Sequence, residues 1–366
     1  MQLACSACDF TSPIRELVNL CPYCTSPLLV QYDFAPRPRI AAGRNDMWRY
    51  RDVLPEVADE EIVSLGEGVT PLLASRTRPG VYIKDESKNP TRSFKSRGMS
   101  AAVTMAKKLG ARSLAAPTAG NAGAALAAYG ARAGLPVFVA MPPDTPSSIV
   151  EECRGYGATV ELIPGVITDA AKRVREYVAE HGGFDLATLR EPYRVEGKKI
   201  MGYELLDDLG ALPDVILYPT GGGTGLIGMW KAFDEMERLG WIDARRPRMF
   251  SVQSSGCAPV VRAFEQGLDR APEWESPKTT AWGLRVPRAL GDRLMLHALR
   301  TSNGGAIAVD EARIEDAAAA LRVSEGIDAG PESGAAWLAY EELRARGAIG
   351  ADESVVVFNT GANKYR

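Results

Sequence analysis

From Val81 onward, short apolar runs alternate with helix-like stretches, and few patterns restrict the fold of a chain this size more tightly. The runs are "VYIK", "SLAAP", "PVFVAM", "TVELI", "VILYP", "MFSVQ" and "SVVVFN". Helices are expected from Ser96 to Gly110, after Asn121, from about Pro146, from Val195 to Leu209 and after Gly225. This alternation predicts an α/β fold whose mostly parallel sheets are covered by helices. In such sheets ligands bind outside the carboxyl ends of the strands. With 366 residues, 46% of them hydrophobic, the chain is long enough to build two lobes with cores of their own.

The first 40 residues follow a different pattern. Cys5, Cys8, Cys21 and Cys24 form two Cys-x2-Cys pairs separated by twelve residues, the spacing of a tetrahedral thiolate site. A small zinc ribbon is expected, with a structural metal. The stretch "YDFAPRPRIAAG" reads as a linker, so residues 1–40 are an appendage to a catalytic region spanning 41–366. Cys153 and Cys257 stand alone and read as small buried hydrophobes. A formal net charge of −3 with interspersed signs argues against general affinity for nucleic acid. No apolar run reaches membrane-spanning length and the opening residues lack a signal-peptide pattern, so a cytoplasmic protein is expected.

Three loops follow apolar strands and open helices. In "VILYPTGGGTGLIGMWKAF", Gly221, Gly222, Gly223, Thr224 and Gly225 bring bare backbone N–H groups and a helix N-terminus together, as a phosphate requires. The spacing matches neither Gly-x4-Gly-Lys-Ser/Thr nor Gly-x-Gly-x-x-Gly, which disfavours ATP and NAD. In "APTAGNAGAALAAYG", Thr118, Ala119, Gly120 and Asn121 precede an Ala-rich helix. The N–H groups there suit a carboxylate and the Asn121 amide suits a ring hydroxyl, although an Asn at a helix start is also an ordinary cap. In "SKNPTRSFKSRG", Lys95 stands at a helix N-terminus, where the dipole lowers an ammonium pKa as a Schiff-base lysine requires.

Taken together, Ser93-Phe94-Lys95, Gly120-Asn121 and the 221–225 glycine loop, in that order, resemble the fold-type II pyridoxal phosphate enzymes and, within them, the threonine synthase family. The likeness runs from the four-cysteine ribbon through "MWRYRDVLP", "SLGEGVTPL" and "EPYRVEGKK" to "VVVFNTGANKYR". It implies a two-lobed catalytic region, with the small lobe at about 95–210, and a homodimer. It also implies pyridoxal 5′-phosphate on Lys95, Asn121 beside the ring and the phosphate in the glycine loop. The hydroxyl of Thr360, in Asn359-Thr360-Gly361, would face the ring nitrogen.

The implied reaction is that of a carbon–oxygen lyase acting on phosphates: γ-elimination and β-hydration of O-phospho-L-homoserine to L-threonine, with Lys95 shuttling protons. Arg194 matches the position for the substrate phosphate, which a guanidinium grips bidentately. Lys198 and Lys199 read as surface charges, and "SLGEGVTPL", Glu67 included, as a mobile segment over the site. Glu332 sits where a family loop nears the cofactor, or is merely an acid at a helix start. The chain departs from the family at Ser96, where Asp is common, at Thr118-Ala119-Gly120-Asn121 and in "ATLREPYR". The altered loops leave a serine/threonine ammonia-lyase or a β-replacement synthase as the alternative.

Overall fold

The computed structural model describes residues 1–34, 40–41 and 43–364. Residues 35–39 and Ala42, the middle of the expected linker, lie outside the described residues. The chain opens with β1 (Gln2–Cys5), β2 (Thr11–Pro13) and β3 (Leu28–Gln31), an antiparallel sheet ordered β2-β1-β3. The sulfurs of Cys5, Cys8, Cys21 and Cys24 all lie within 4.8 Å of one another.

The α/β region begins with β4 (Leu72–Ala74), β5 (Val81–Asp85) and α1 (Lys95–Lys108). Then come β6 (Leu114–Pro117), α2 (Asn121–Ala133), β7 (Val137–Met141), α3 (Ser147–Gly155), β8 (Thr159–Leu162), α4 (Ile167–His181) and β9 (Phe184–Asp185). The chain continues through α5 (Tyr193–Leu209), β10 (Val215–Pro219), α6 (Thr224–Arg238), β11 (Arg248–Ser254), α7 (Pro259–Glu265) and α8 (Asp292–Thr301). It ends with β12 (Gly305–Val309), α9 (Ile314–Glu325), α10 (Pro331–Ala345) and β13 (Val355–Asn359).

Two sheets result. The larger is ordered β12-β11-β10-β13-β5-β4 and is parallel except for β4, which runs against β5. The smaller, β8-β7-β6-β9, is parallel throughout. Parallel strands buried on both faces read as unbroken apolar runs, and β7, β10 and β13 are buried at every residue. Pairing β5 with β13 sets Asp85 opposite Asn359, so the last strand delivers Thr360 beside the segment that leads into α1. A bridge from Ser93 to Gly361 and a hydrogen bond from the Phe94 N–H to the Thr360 carbonyl (3.1 Å) lock the two together.

Helix α5 is the centre of the molecule. It is buried at every position from Tyr193 to Leu205, packed between α1 and α6. A side chain at Gly197 would stand 2.0 Å from the Arg97 carbonyl oxygen, so only glycine permits this crossing of α1 and α5. Two of the cations carried into this packing meet carboxylates. Arg97 bonds Glu86 at 2.6 Å and Glu204 at 2.6 Å, while Lys199 pairs with Glu196 at 2.8 Å and Glu235 at 2.9 Å. The surface reading of Lys199 is corrected here: two carboxylates from α5 and α6 make its burial affordable. Cys153 and Cys257 are both buried, as expected.

Candidate active site

The three loops converge on one cavity of about 820 Å³. Lys95, Thr118, Ala119, Gly120, Asn121, Arg194, Gly221, Gly222, Gly223, Thr224, Gly225 and Thr360 all line it. They reach it from both sheets: Thr118 to Asn121 follow β6 of the small sheet, Gly221 to Gly225 follow β10 of the large one, and Thr360 follows β13.

Lys95 is the first residue of α1, and its Nζ lies 3.7 Å from the centre of the Phe94 ring. Burial and the nearby Arg194 cation lower its pKa to about 7, with Glu332 opposing the shift. Near neutral pH the amine is therefore available as a nucleophile. Glu332, 7% exposed on the first turn of α10, accepts a 2.7 Å hydrogen bond from the Gly283 N–H and so ties the 282–290 wall of the cavity to that helix.

The glycine loop has no room for side chains. An added Cβ would come within 2.1 Å of the Gly283 oxygen at Gly221, 2.6 Å of Thr188 Cγ2 at Gly222 and 1.9 Å of Tyr218 Oη at Gly225. Gly223 carries φ +77, a left-handed turn that suits glycine, and caps α6. The loop leads into the first turn of α6, where unpaired N–H groups and the dipole favour an anion.

Arg194 is 2% exposed. Its Nη1 donates to the Leu186 carbonyl at 2.7 Å, whereas Nε and Nη2 have no partner among the described residues. Leaving buried donors unpaired is costly, so two donors of this guanidinium are available to a ligand that can accept from them. Glu191 caps the helix beneath it, accepting from the N–H groups of Tyr193 (2.7 Å) and Arg194 (3.0 Å), and burial raises the Glu191 carboxyl to about 7. Thr118 Oγ1 accepts from the Gly120 N–H at 3.2 Å, so the one hydroxyl of that loop serves the loop itself.

Besides the burial of Lys199, sequence reasoning missed two features. Lys198 is fully buried beside Thr224, not on the surface. Glu67 is fully buried too, away from the cavity, accepting from Tyr129 Oη at 2.6 Å and the Leu65 N–H at 3.0 Å. Glu67 thus ties "SLGEGVTPL" to α2, and the glycine flanks, with φ near +90, serve the turn geometry.

The pyridoxal-phosphate dependent enzyme family matches residues 63–361. The chain is 34% identical to the threonine synthase of Methanosarcina acetivorans and 32% identical to that of Methanocaldococcus jannaschii, in each case over 98% of this chain and 91% of the relative. Solved structures share the fold at lower identity. Maize serine racemase aligns with TM-score 0.70 and 21% identity over 80% of this chain and 88% of its own. An L-serine ammonia-lyase from Rhizomucor miehei aligns with TM-score 0.68 and 21% identity over 81% and 94%. The fold and the family match define a pyridoxal-phosphate dependent enzyme. Within that class, the chain belongs to the threonine synthase family.

The residues present fit the cofactor. A glycine cradle at a helix N-terminus suits its phosphate and a lysine with depressed pKa suits its aldehyde, and both line one cavity. Among the described residues no helix is long and apolar enough to cross a membrane.

Proposed function

We infer that this enzyme converts O-phospho-L-homoserine and water to L-threonine and phosphate. Beyond the family match, the observation that carries the reading is Arg194, a buried guanidinium with two unpartnered nitrogens on the wall that also bears Lys95. A substrate ending in a phosphate dianion satisfies both donors at once.

Pyridoxal phosphate, bound through Lys95, supplies an electron sink next to the substrate amino group. The chain's own groups do the rest. The glycine loop and the first turn of α6 would hold the cofactor phosphate, Asn121 would serve as a polar partner of its ring, and the Thr360 hydroxyl would serve as a neutral partner of its ring nitrogen. N–H groups of the Thr118-Ala119-Gly120 turn hold the substrate carboxylate. The amine of Lys95 would remove the α-proton and return protons along the carbon chain, as a pKa of about 7 allows. Arg194 steadies the leaving phosphate, and water then adds at the β-carbon.

The cysteine module supports a structural zinc. Sulfurs in a tetrahedral four-thiolate site with Zn–S bonds near ~2.3 Å lie about 3.8 Å apart. Here Cys5 to Cys24 is 3.3 Å, and Cys8 lies 3.6 Å from both Cys21 and Cys24. We assign residues 1–40 to this module and its linker and 41–366 to the catalytic region, with the small lobe at about 95–210. A cytoplasmic homodimer without nucleic-acid partners completes the reading.

The Thr118 hydroxyl, held by its own loop, favours a second reading: elimination or β-replacement on a serine- or threonine-like substrate. Supplying the purified enzyme with cofactor and O-phosphohomoserine separates the two. Release of phosphate with stoichiometric threonine is expected. A lysine-bound cofactor band with no phosphate released, together with ammonia and a 2-oxo acid from threonine, would replace the synthase reading with the lyase one.

A further inference from the structure

Three cations stand close enough to act on one another at the cavity: Lys95 and Arg194 line it, and Lys198 lies behind Thr224, which lines it too; the reading above uses only the first two. The third is Lys198, 0% exposed and one helical turn beyond Arg194 on the same face of α5. Its Nζ lies 2.5 Å from Thr224 Oγ1 and 4.9 Å from the centre of the Phe94 ring. Other buried cations in these helices have carboxylate partners: Lys199 has Glu196 and Glu235, Arg97 has Glu86 and Glu204, and Lys84 has Glu204 at 2.9 Å. Among the described residues Lys198 has none. Glu191, an acid whose charge acts on it, accepts instead from the backbone N–H groups of Tyr193 and Arg194.

A fully buried ammonium without an anion is strongly disfavoured unless a ligand supplies one. Thr224, which Lys198 touches, belongs to the glycine cradle and lines the cavity. An ammonium can only donate, so when it is charged the Thr224 oxygen must accept from it, and the single hydroxyl proton is left to point elsewhere. We propose that Lys198 is a positioning residue for the cofactor phosphate: its charge balances the bound dianion, and its hydrogen bond turns the Thr224 hydroxyl toward it. Burial beside Lys95 and Arg194 holds the Lys198 pKa well below the usual lysine range, so a nearby dianion is what makes its charged form favourable. The proposal rests on the cofactor assignment and is independent of which amino acid is the substrate.

Lys198→Met keeps volume and removes charge. Cofactor release from the holoenzyme is followed by loss of the lysine-bound band. Parallel samples are reconstituted with pyridoxal, which lacks the phosphate, and the phosphorus resonance of bound cofactor is recorded. Weakening of about 30-fold for pyridoxal phosphate is expected, the size of one lost charge-assisted bond. Pyridoxal affinity should stay within about threefold, and the phosphorus resonance should shift. Thr224→Val should give the same selective loss, and the double variant should be little worse than either single one. Equal losses for both aldehydes would overturn the proposal, because they would report packing alone. A raised KM for O-phosphohomoserine with unchanged cofactor affinity would also overturn it, by moving Lys198 to the substrate's phosphate. If Lys198→Met does not fold, Thr224→Val alone decides between the same outcomes.

Discussion

Replacing Gly221 by alanine tests the cradle directly, because the obstacle there is backbone. The new Cβ would stand 2.1 Å from the Gly283 carbonyl oxygen and 3.0 Å from Val286 Cγ2. Relief requires the 282–286 segment to retreat by about 1 Å, judged against ordinary carbon–oxygen contact. That segment is pinned by the Gly283 N–H bond to Glu332 at 2.7 Å and by the Leu284 N–H bond to the Ala281 carbonyl at 2.8 Å. Overpacking of this kind costs about 1–3 kcal/mol. The retreat deforms the cradle itself, so most of the penalty should appear as lost cofactor affinity, about 30-fold for 2 kcal/mol. Titration of the lysine-bound absorption band measures it. Gly222→Ala meets Thr188 Cγ2 at 2.6 Å, a side-chain methyl that can turn away, and should lose less. Gly155→Ala, at the end of α3 with nothing within 4 Å, should bind cofactor normally and gain up to about 1 kcal/mol of stability. Wild-type affinity in Gly221→Ala, or a larger loss in Gly222→Ala, would refute the argument.

Four further outcomes follow from the site. Only an unprotonated amine attacks an aldehyde, so with Lys95 lowered to about 7 the rate of cofactor capture by stripped enzyme should rise with pH and level off above about 7; a stopped-flow rate still climbing tenfold per unit at pH 9 would contradict this. Arg194→Gln removes the charge behind two unpartnered donors and should raise KM for the phosphorylated substrate about 100-fold while leaving the cofactor spectrum unchanged; a change under threefold would rule out the phosphate role. Glu191, raised to about 7 from an unfolded value near ~4.3, stabilises the native state below about pH 4, and that contribution is lost as pH rises through 7. Glu191→Gln should therefore flatten the fall in unfolding free energy over that window, by up to about 3 kcal/mol, and an unchanged pH slope in urea titrations would count against it. Metal analysis should find about one zinc per chain, and chelation should lower thermal stability while the cofactor band persists; metal-free protein from zinc-supplemented medium would remove the ribbon reading.

What the sequence made legible was local. Lys95, Asn121 and the 221–225 loop follow apolar strands and open helices, and a strand end that gives way to glycine or a helix cap declares itself over about ten residues. Thr360 and Arg194 came from resemblance alone, since nothing in their immediate neighbours marks them. Their placement depends on the pairing of β5 with β13 and on the crossing of α1 with α5, contacts made far along the chain. Glu67 was misread because glycine flanks signal a turn but not what the turn packs against, which here is Tyr129 of α2.

Helix α5 was the hardest segment, for a physical reason. Buried on all sides through Leu205, it has no polar face to produce a 3.6-residue alternation, and "VEGKK" in isolation is indistinguishable from solvated charge. The structure sorts those charges by helical face. Glu196 and Lys199, three residues apart, turn toward Glu235, Lys231 and Tyr32, where every charge meets its opposite and Tyr32 Oη donates to Glu196 at 2.6 Å. Arg194 lines the cavity and Lys198, four residues on, touches Thr224, which also lines it, and neither cation has a carboxylate partner among the described residues. Burial is equally deep on both faces, with anions supplied on one and withheld on the other, and that asymmetry is the ground for proposing that the second face takes anions that arrive with ligands. The cofactor and the proposed substrate bring one phosphate each, which under the two proposals gives Lys198 and Arg194 one dianion apiece.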